Sequence, residues 1–335
     1  MHQLTYGAIE AATRRIAGRV RPVTLSPLEP GVIRTAHRDP LDDRVPEPCQ
    51  VWLALEYLQH TGSFAARGAQ NFFQAHRAAG TLSDAGVTIA AGGAVGRAYA
   101  WSAQQQGVPA TLFLPETTGH PELAGLRAYG ADVRLAGAGW DHASAMCENF
   151  AKATGALAAH TDDPLVAAGE GTLVEEIRSQ IPGLDSVVVA VGGDSLFTGV
   201  ATAARRYGMR VIAAEAEGAC PLNTAVTAMV AGGSATAGAP DGHRVSPLAL
   251  RVALQDSVHS VIVTDAETAT ARRMLRGHRE VGESAVIALA ALTAPPVHVP
   301  DRDLPTRPVV SSRGYRPGNG EKVAVVLSET GQLPG

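Results

Sequence analysis

Leu53-Ala54-Leu55-Glu56, then Gly62-Ser63-Phe64-Ala65-Ala66-Arg67-Gly68-Ala69, is the stretch on which the fold turns. The first run is short and apolar, as a strand is. The second opens an amphipathic pattern from Phe64 to Ala79 that Gly80 closes. Ser63 is placed to cap that helix, leaving N–H groups that could receive an anion. The same grammar recurs at Val87 to Ala90, where Ala91-Gly92-Gly93-Ala94-Val95-Gly96 leads into a helix ending at Gln106. It recurs again at Val187 to Val191, where Gly192-Gly193-Asp194-Ser195 opens a helix toward Tyr207.

Further buried-type runs stand at Ala110 to Leu114, Val133 to Leu135, Ser186 to Val191, Val211 to Ala214, Val258 to Val263 and Val323 to Leu327. Helical stretches separate them: Pro121 to Tyr129, Asp141 to Thr154, Leu165 to Gln180 and Asp265 to Leu275. Strands alternating with helices predict an α/β protein with covered parallel sheets. Ligands in such sheets sit beyond the carboxyl ends of the strands, so the turns after strands are where chemistry is sought. Pro22 to Pro48, Ala231 to Pro247 and Ala294 to Asn319 read as irregular connections.

Composition narrows the function classes. The 335 residues carry 28 basic and 32 acidic side chains, a formal charge of −4, which provides no broad footprint for a nucleic-acid backbone. No apolar run approaches the roughly 18 residues of a spanning helix, and Met1 to Pro30 lacks a signal-peptide layout, so a cytoplasmic protein is expected. Cys49, Cys147 and Cys220 are too scattered for a disulfide framework or a zinc site. Lysine is confined to Lys152 and Lys322, so a reaction that needs a lysine amine has only those two.

The glycine turns admit two readings. At Gly92 and Gly93, glycine permits backbone N–H groups to approach a ligand, and equally permits tight helix–strand contact. At Gly192 and Gly193 a helix start could cradle phosphate, but Asp194 as an N-cap would occupy the same N–H groups and repel a dianion.

Glu56, Gly62-Ser63-Phe64 and Ala66-Arg67-Gly68-Ala69, with the two glycine turns at this spacing, resemble the serine/threonine dehydratase branch of the fold-type-II pyridoxal-phosphate enzymes, in the tryptophan synthase beta superfamily. Phe113-Leu114-Pro115-Glu116, Leu126 to Ala131, Asp162-Asp163-Pro164-Leu165, Gly169, Gly171-Thr172 and Val187 to Gly193 extend the similarity over nearly the whole chain. The resemblance implies two open parallel-sheet domains with a cleft between: a larger one from 1–80 plus 160–335, and a smaller one from 81–159 inserted in it.

Carried across one by one, the family's functional positions change. Its motif Gly-Ser-Phe-Lys, whose lysine forms an imine with the cofactor, has Ala65 in place of the lysine. Its Ser-Gly-Asn motif falls on Ala91, Gly92 or Gly93, and Ala94. Its phosphate cup retains Gly192 and Gly193 but is interrupted by Asp194-Ser195. The final motif survives only as Ser328, which could bond a ring nitrogen or be an ordinary strand-end hydroxyl. Near Glu215, where the family carries a divalent-cation site, Pro221 replaces the later acid, and no metal is expected. These departures predict no covalently held cofactor, with non-covalent pyridoxal phosphate disfavoured.

The sequence reading is therefore a dehydratase-like protein that has lost covalent cofactor chemistry. In one version it is a repurposed lyase- or isomerase-type enzyme moving protons on a small metabolite. In the others it is a non-catalytic metabolite-binding or partner subunit, or a lysine-to-alanine variant of a dehydratase. The candidate catalytic residues are Asp194 as general acid or base, Ser195, Ser328 and His60. The candidate cofactor residues are Ala65, Ser63, Arg67, Gly92, Gly93, Ala94, Gly192 and Gly193, with Glu215 also at the cleft. His60 and Ser63 could join a buried acid in a hydrolytic constellation, although nothing in the sequence fixes that geometry. A small-molecule ligand and a homodimer are expected, with neither nucleic acid nor membrane as partner.

Overall fold

A computed structural model describes residues 4–35, 47–232, 245–278, 280–293, 309–311 and 314–331. The chain begins with α1 (Tyr6–Ile16), β1 (Leu25–Pro27) and β2 (Gln50–Ala54). It continues with α2 (Ala65–Ala78), β3 (Val87–Ile89), α3 (Gly93–Gln106), β4 (Ala110–Leu114), α4 (His120–Ala128), β5 (Asp132–Leu135), α5 (Trp140–Thr154) and β6 (Leu157–Ala159). Then come α6 (Pro164–Gln180), β7 (Ser186–Ala190), α7 (Asp194–Arg206), β8 (Arg210–Ala216) and α8 (Pro221–Val230). The described chain closes with α9 (Pro247–Ala253), β9 (Val258–Val263), α10 (Asp265–Met274), α11 (Glu283–Ala290), β10 (Val309–Ser311) and β11 (Lys322–Val326).

The chain forms two compact units, one built from residues up to Arg21 and Gln59–Thr172, the other from Pro22–Leu58 and the residues from Leu173 on. In the first, four parallel strands run in the order β5-β4-β3-β6. All five residues of β4 are buried, and four of them are apolar, with Thr111 between, whereas the edge strand β5 is largely exposed. Helix α2 joins this unit because Phe72 and Phe73 pack on Tyr99 of α3, with ring centroids 5.6 and 5.9 Å apart. The partition thus falls near residues 21, 58 and 172, whereas the sequence reading groups 1–80 with 160–335.

α2 and α6 cross at small residues. A Cβ built on Gly169 would lie 2.5 Å from the Arg67 carbonyl oxygen and 2.9 Å from the Gly68 Cα. Gly169→Ala must therefore push two backbones apart, and a loss of about 1 to 3 kcal/mol is expected in a denaturant titration. An unchanged midpoint would show that the crossing yields freely.

Among the described residues the second unit holds seven strands in the order β1-β2-β11-β7-β8-β9-β10, parallel except for the antiparallel β1–β2 pair. Every residue of β7 is buried, which explains its valine run. Parallel strands deliver all their carboxyl ends to one edge. β11 lies beside β7 with Val325 opposite Val188, so Ser328 leaves the sheet next to the Val191–Gly192 turn.

The α/β class matches the sequence expectation, with shifts at the ends. Leu53 to Glu56 is not one strand: β2 ends at Ala54, and Glu56 begins a 3-10 turn, Glu56–Leu58. Much of the three irregular segments lies outside the described residues, namely 36–46, 233–244, 294–308 and 312–313. Among the described residues no helix is long and apolar enough to cross a membrane.

Candidate functional site

In the first unit, the chain enters α2 through a 3-10 turn, His60–Gly62, with two successive left-handed residues, Thr61 at φ 61° and Gly62 at φ 73°. The expected capping by Ser63 is not made. The N-cap is Phe64, no side chain caps the helix, and the fully buried Ser63 hydroxyl has no hydrogen-bond partner. The extended backbone of Ser63 and the helical one of Phe64 move the helix start one residue on. The His60 ring stacks on Trp101 at 4.6 Å, and burial, followed by the charge of Arg21, pulls its pKa down, so it is neutral near pH 7. With no bond from the Ser63 hydroxyl, the hydrolytic pairing of His60 and Ser63 is not formed.

Ala65 is buried in an apolar cluster with Ala69, Phe72, Phe73 and Tyr99. Arg67, read as a cofactor contact, is completely buried, and its guanidinium donates to the Thr172 hydroxyl at 3.4 Å and the Arg21 carbonyl at 3.3 Å. Those internal oxygens give it a structural occupation.

The second glycine turn is filled by the chain itself. Gly93 N–H donates to Glu122 Oε1 at 2.6 Å, and a Cβ on Gly92 would stand 2.2 Å from that oxygen. Gly92 is therefore glycine to admit the Glu122 carboxylate. Ala94 lies in the first turn of α3.

In the second unit, Asp194 departs from the expected role of helix cap. Gly193 is the N-cap of α7 and no side chain caps it. The Asp194 carboxylate instead accepts a short hydrogen bond from the N–H of Ser246, which caps α9 through its own hydroxyl, 3.1 Å from Ala249 N. The objection that Asp194 consumes the N–H groups of its own helix therefore falls. Gly192 and Gly193 are exposed, nothing lies within 4 Å of a Cβ built on Gly193, and Ser195 is buried one residue into the helix.

Ser328 has a buried hydroxyl without a partner. The loop that carries it is pinned: Gly282 N–H donates to the Glu329 carbonyl at 2.8 Å, and Gly331 N–H to the Glu280 carbonyl at 2.7 Å. Ser284 donates to Glu329 Oε1 at 3.0 Å, and its Oγ stands 3.4 Å from where a Gly192 Cβ would be. Gly192, Ser284 and Ser328-Glu329 therefore gather at one sheet edge. Sequence reading misses Ser284, Glu329, Ser246 and Glu122; only Ser246-Pro247 carries a local signal, that of a helix start.

Glu215, at the end of β8, accepts from Leu222 N at 2.9 Å and Asn223 N at 2.7 Å, so it caps α8, whose first residue is Pro221. Burial raises its pKa to about 7; the two N–H groups pull it down and the charge of Asp194 pushes it up. Among the described residues no group of three or more His, Cys, Asp or Glu could hold a metal ion. A cavity of about 410 Å³ lies along α10, lined by Asp265, Thr268, Arg272 and Arg276 among others, and includes none of the candidate residues.

Neither lysine stands at a strand carboxyl end of its own unit. Lys322 begins β11, six residues before Ser328 and therefore roughly 20 Å away along the strand. Lys152 is in the last turn of α5, before the start of β6.

Residues 37–304 match the model of a family described as "Pyridoxal-phosphate dependent enzyme". L-threonine ammonia-lyase of Geobacter sulfurreducens is 35% identical over 203 residues, 60% of this chain and 47% of that protein. A human protein named "Serine dehydratase-like" is 32% identical over 255 residues, 72% of this chain and 76% of that protein. The chain thus spans about half the length of the first relative. Maize serine racemase shares the fold, with a TM-score of 0.79 at 22% identity over 99% of this chain and 95% of that one.

These similarities correct the cofactor expectation. The matched family is defined by pyridoxal phosphate, so that cofactor is to be expected here, against a reading that excluded it covalently and disfavoured it otherwise. The physical ground for the exclusion was partly Asp194 as a cap, and Asp194 is turned to Ser246. The orphaned Ser328 hydroxyl suits a ring nitrogen, and the start of α7 has no side-chain cap to occupy its N–H groups, although Asp194 places a negative charge in its first turn that a phosphate has to meet.

Proposed function

We propose, from the premise that this chain belongs to the family of pyridoxal-phosphate dependent enzymes, that it is a serine/threonine-dehydratase-like protein that holds the cofactor through its second unit and moves protons on a small polar metabolite. The observation that carries this reading is Ser328. A buried hydroxyl left without a partner costs about 1 to 3 kcal/mol, and at this strand end a ring nitrogen would satisfy it. Gly192 and Gly193 at the start of α7 would receive the phosphate, where the helix dipole favours negative charge. When bound, pyridoxal phosphate supplies an electron sink for bonds at the substrate carbon.

The residues around it hold and orient. Ala65 offers no amine, and each lysine stands at the opposite strand end of its own unit, so hydrogen bonds and the helix dipole are the contacts that the second unit offers the cofactor. The Ser246 N–H fixes one oxygen of Asp194, which leaves the other in a defined direction to take or give a proton. A homodimer belongs to the same reading, supported by the family resemblance. The test is a titration with pyridoxal phosphate followed by its absorbance. Saturable binding is expected, about tenfold weaker in Ser328→Ala with little change in melting temperature. Absence of saturable binding, or an affinity indifferent to Ser328, would overturn the proposal.

A further inference from the structure

The turn before α2 has two features that folding alone does not explain. Ser63 Oγ and Thr61 Oγ1 are both buried without a hydrogen-bond partner, two residues apart, and Ser63 has no exposed surface. Buried polar groups in native proteins find partners, so each exception requires a reason. Thr61 is also the sole non-glycine residue with positive φ among those described, an unfavourable state for a β-branched side chain. Such strain gathers where a ligand is held.

We infer that Thr61 and Ser63 form a binding site in the first unit for a small carboxylate. Both hydroxyls can donate, and a planar carboxylate offers two acceptor oxygens to two donors. The negative charge is met by the start of α2, a 14-residue helix with neither a side-chain cap nor an acid in its first turn. The uncapped helix start supplies only a partial positive charge, which suits a monoanion better than a phosphate dianion. The neutral His60 ring, stacked on Trp101, forms an uncharged neighbour. This site goes beyond the proposed function, because it involves no residue of the second unit.

The test uses the full chain with sodium acetate as probe, read as the shift in melting temperature against concentration. The wild type is expected to be stabilised saturably by acetate. In Ser63→Ala the acetate affinity falls roughly tenfold or more, while the ligand-free melting temperature stays level or rises, because a hydroxyl without a partner is removed. Thr61→Gly, which removes the second hydroxyl and relieves the left-handed strain, is expected to raise the ligand-free melting temperature by a few degrees and also to weaken acetate. A fall in the Ser63→Ala melting temperature with unchanged acetate affinity would assign the hydroxyl to the fold and overturn the inference. So would the absence of saturation in the wild type, or tighter binding of inorganic phosphate than of acetate. No cofactor enters these arms, so their failure is separate from failure of the Ser328 titration.

Discussion

Ala65→Lys is expected to lower the melting temperature of the cofactor-free protein by roughly 10 °C. Ala65 is 3% exposed and packs with Ala69, Phe72, Phe73 and Tyr99, so a lysine there must bring its amine into an apolar cluster. A fully buried lysine avoids its charge by dropping its pKa by about 3 to 5 units, which corresponds to a destabilisation of about 4 kcal/mol or more. The family resemblance implies that position 65 is where the family's imine lysine falls. Pyridoxal phosphate is therefore expected to return part of the lost stability to this variant, and borohydride to fix the cofactor at position 65. Differential scanning calorimetry with and without the cofactor, followed by peptide mapping, reads both effects. A variant as stable as the wild type, or one that the cofactor does not stabilise, would show that position 65 is not what the resemblance implies.

The second large effect is a pH dependence of stability at Glu215. Its carboxyl has a pKa of about 7 in the folded protein against an ordinary 4.5, because it is 1% exposed. Between those values the folded protein keeps a proton that the unfolded chain releases. The associated stability is therefore complete below about pH 4.5 and is lost as the pH rises to about 7, by about 3 kcal/mol in all. Glu215→Gln carries no titrating group there. Denaturant titrations at several pH values should give a difference between wild type and Glu215→Gln that moves against the wild type from pH 4.5 to 7 and is flat above. A difference that is constant with pH, or moves in the wild type's favour, would mean that the N–H groups of Leu222 and Asn223 outweigh burial.

How far the sequence carries can be judged from particular residues. The valine run of β7 and the largely apolar run of β4 are legible because strands buried on both faces carry almost no polar side chain, Ser186 and Thr111 being the exceptions. The glycine turns are legible because left-handed or close-approach backbone needs glycine, as Gly92 does beside Glu122. Helix α10 announces itself with a capping box at Thr264 and Glu267. The small elements α8, α9 and α11 are not legible, since their alanine-rich runs carry a weak period and are defined by packing.

The site divides in the same way. Positions such as Ser63, Asp194 and Ser328 can be found locally, but what each touches is set by tertiary structure. Asp194 reads as a cap for α7, yet its partner is Ser246, 52 residues on. Glu122 reads as a first-turn acid of α4, yet it fills a turn 29 residues earlier. Ser63 reads as an N-cap, and is in fact without a partner. Arg67 is charged and close to the family motif, but only its burial reveals an internal role.

The most direct test of the account is a crystal structure of the protein grown with pyridoxal phosphate. The pyridine ring nitrogen is expected within hydrogen-bond distance of Ser328 Oγ and the phosphate against Gly192 and Gly193 at the start of α7, with Asp194 still held by Ser246 N–H. A cofactor bound elsewhere, or a crystal in which Ser328 Oγ bonds to the protein and no cofactor is present at saturating concentration, would contradict it.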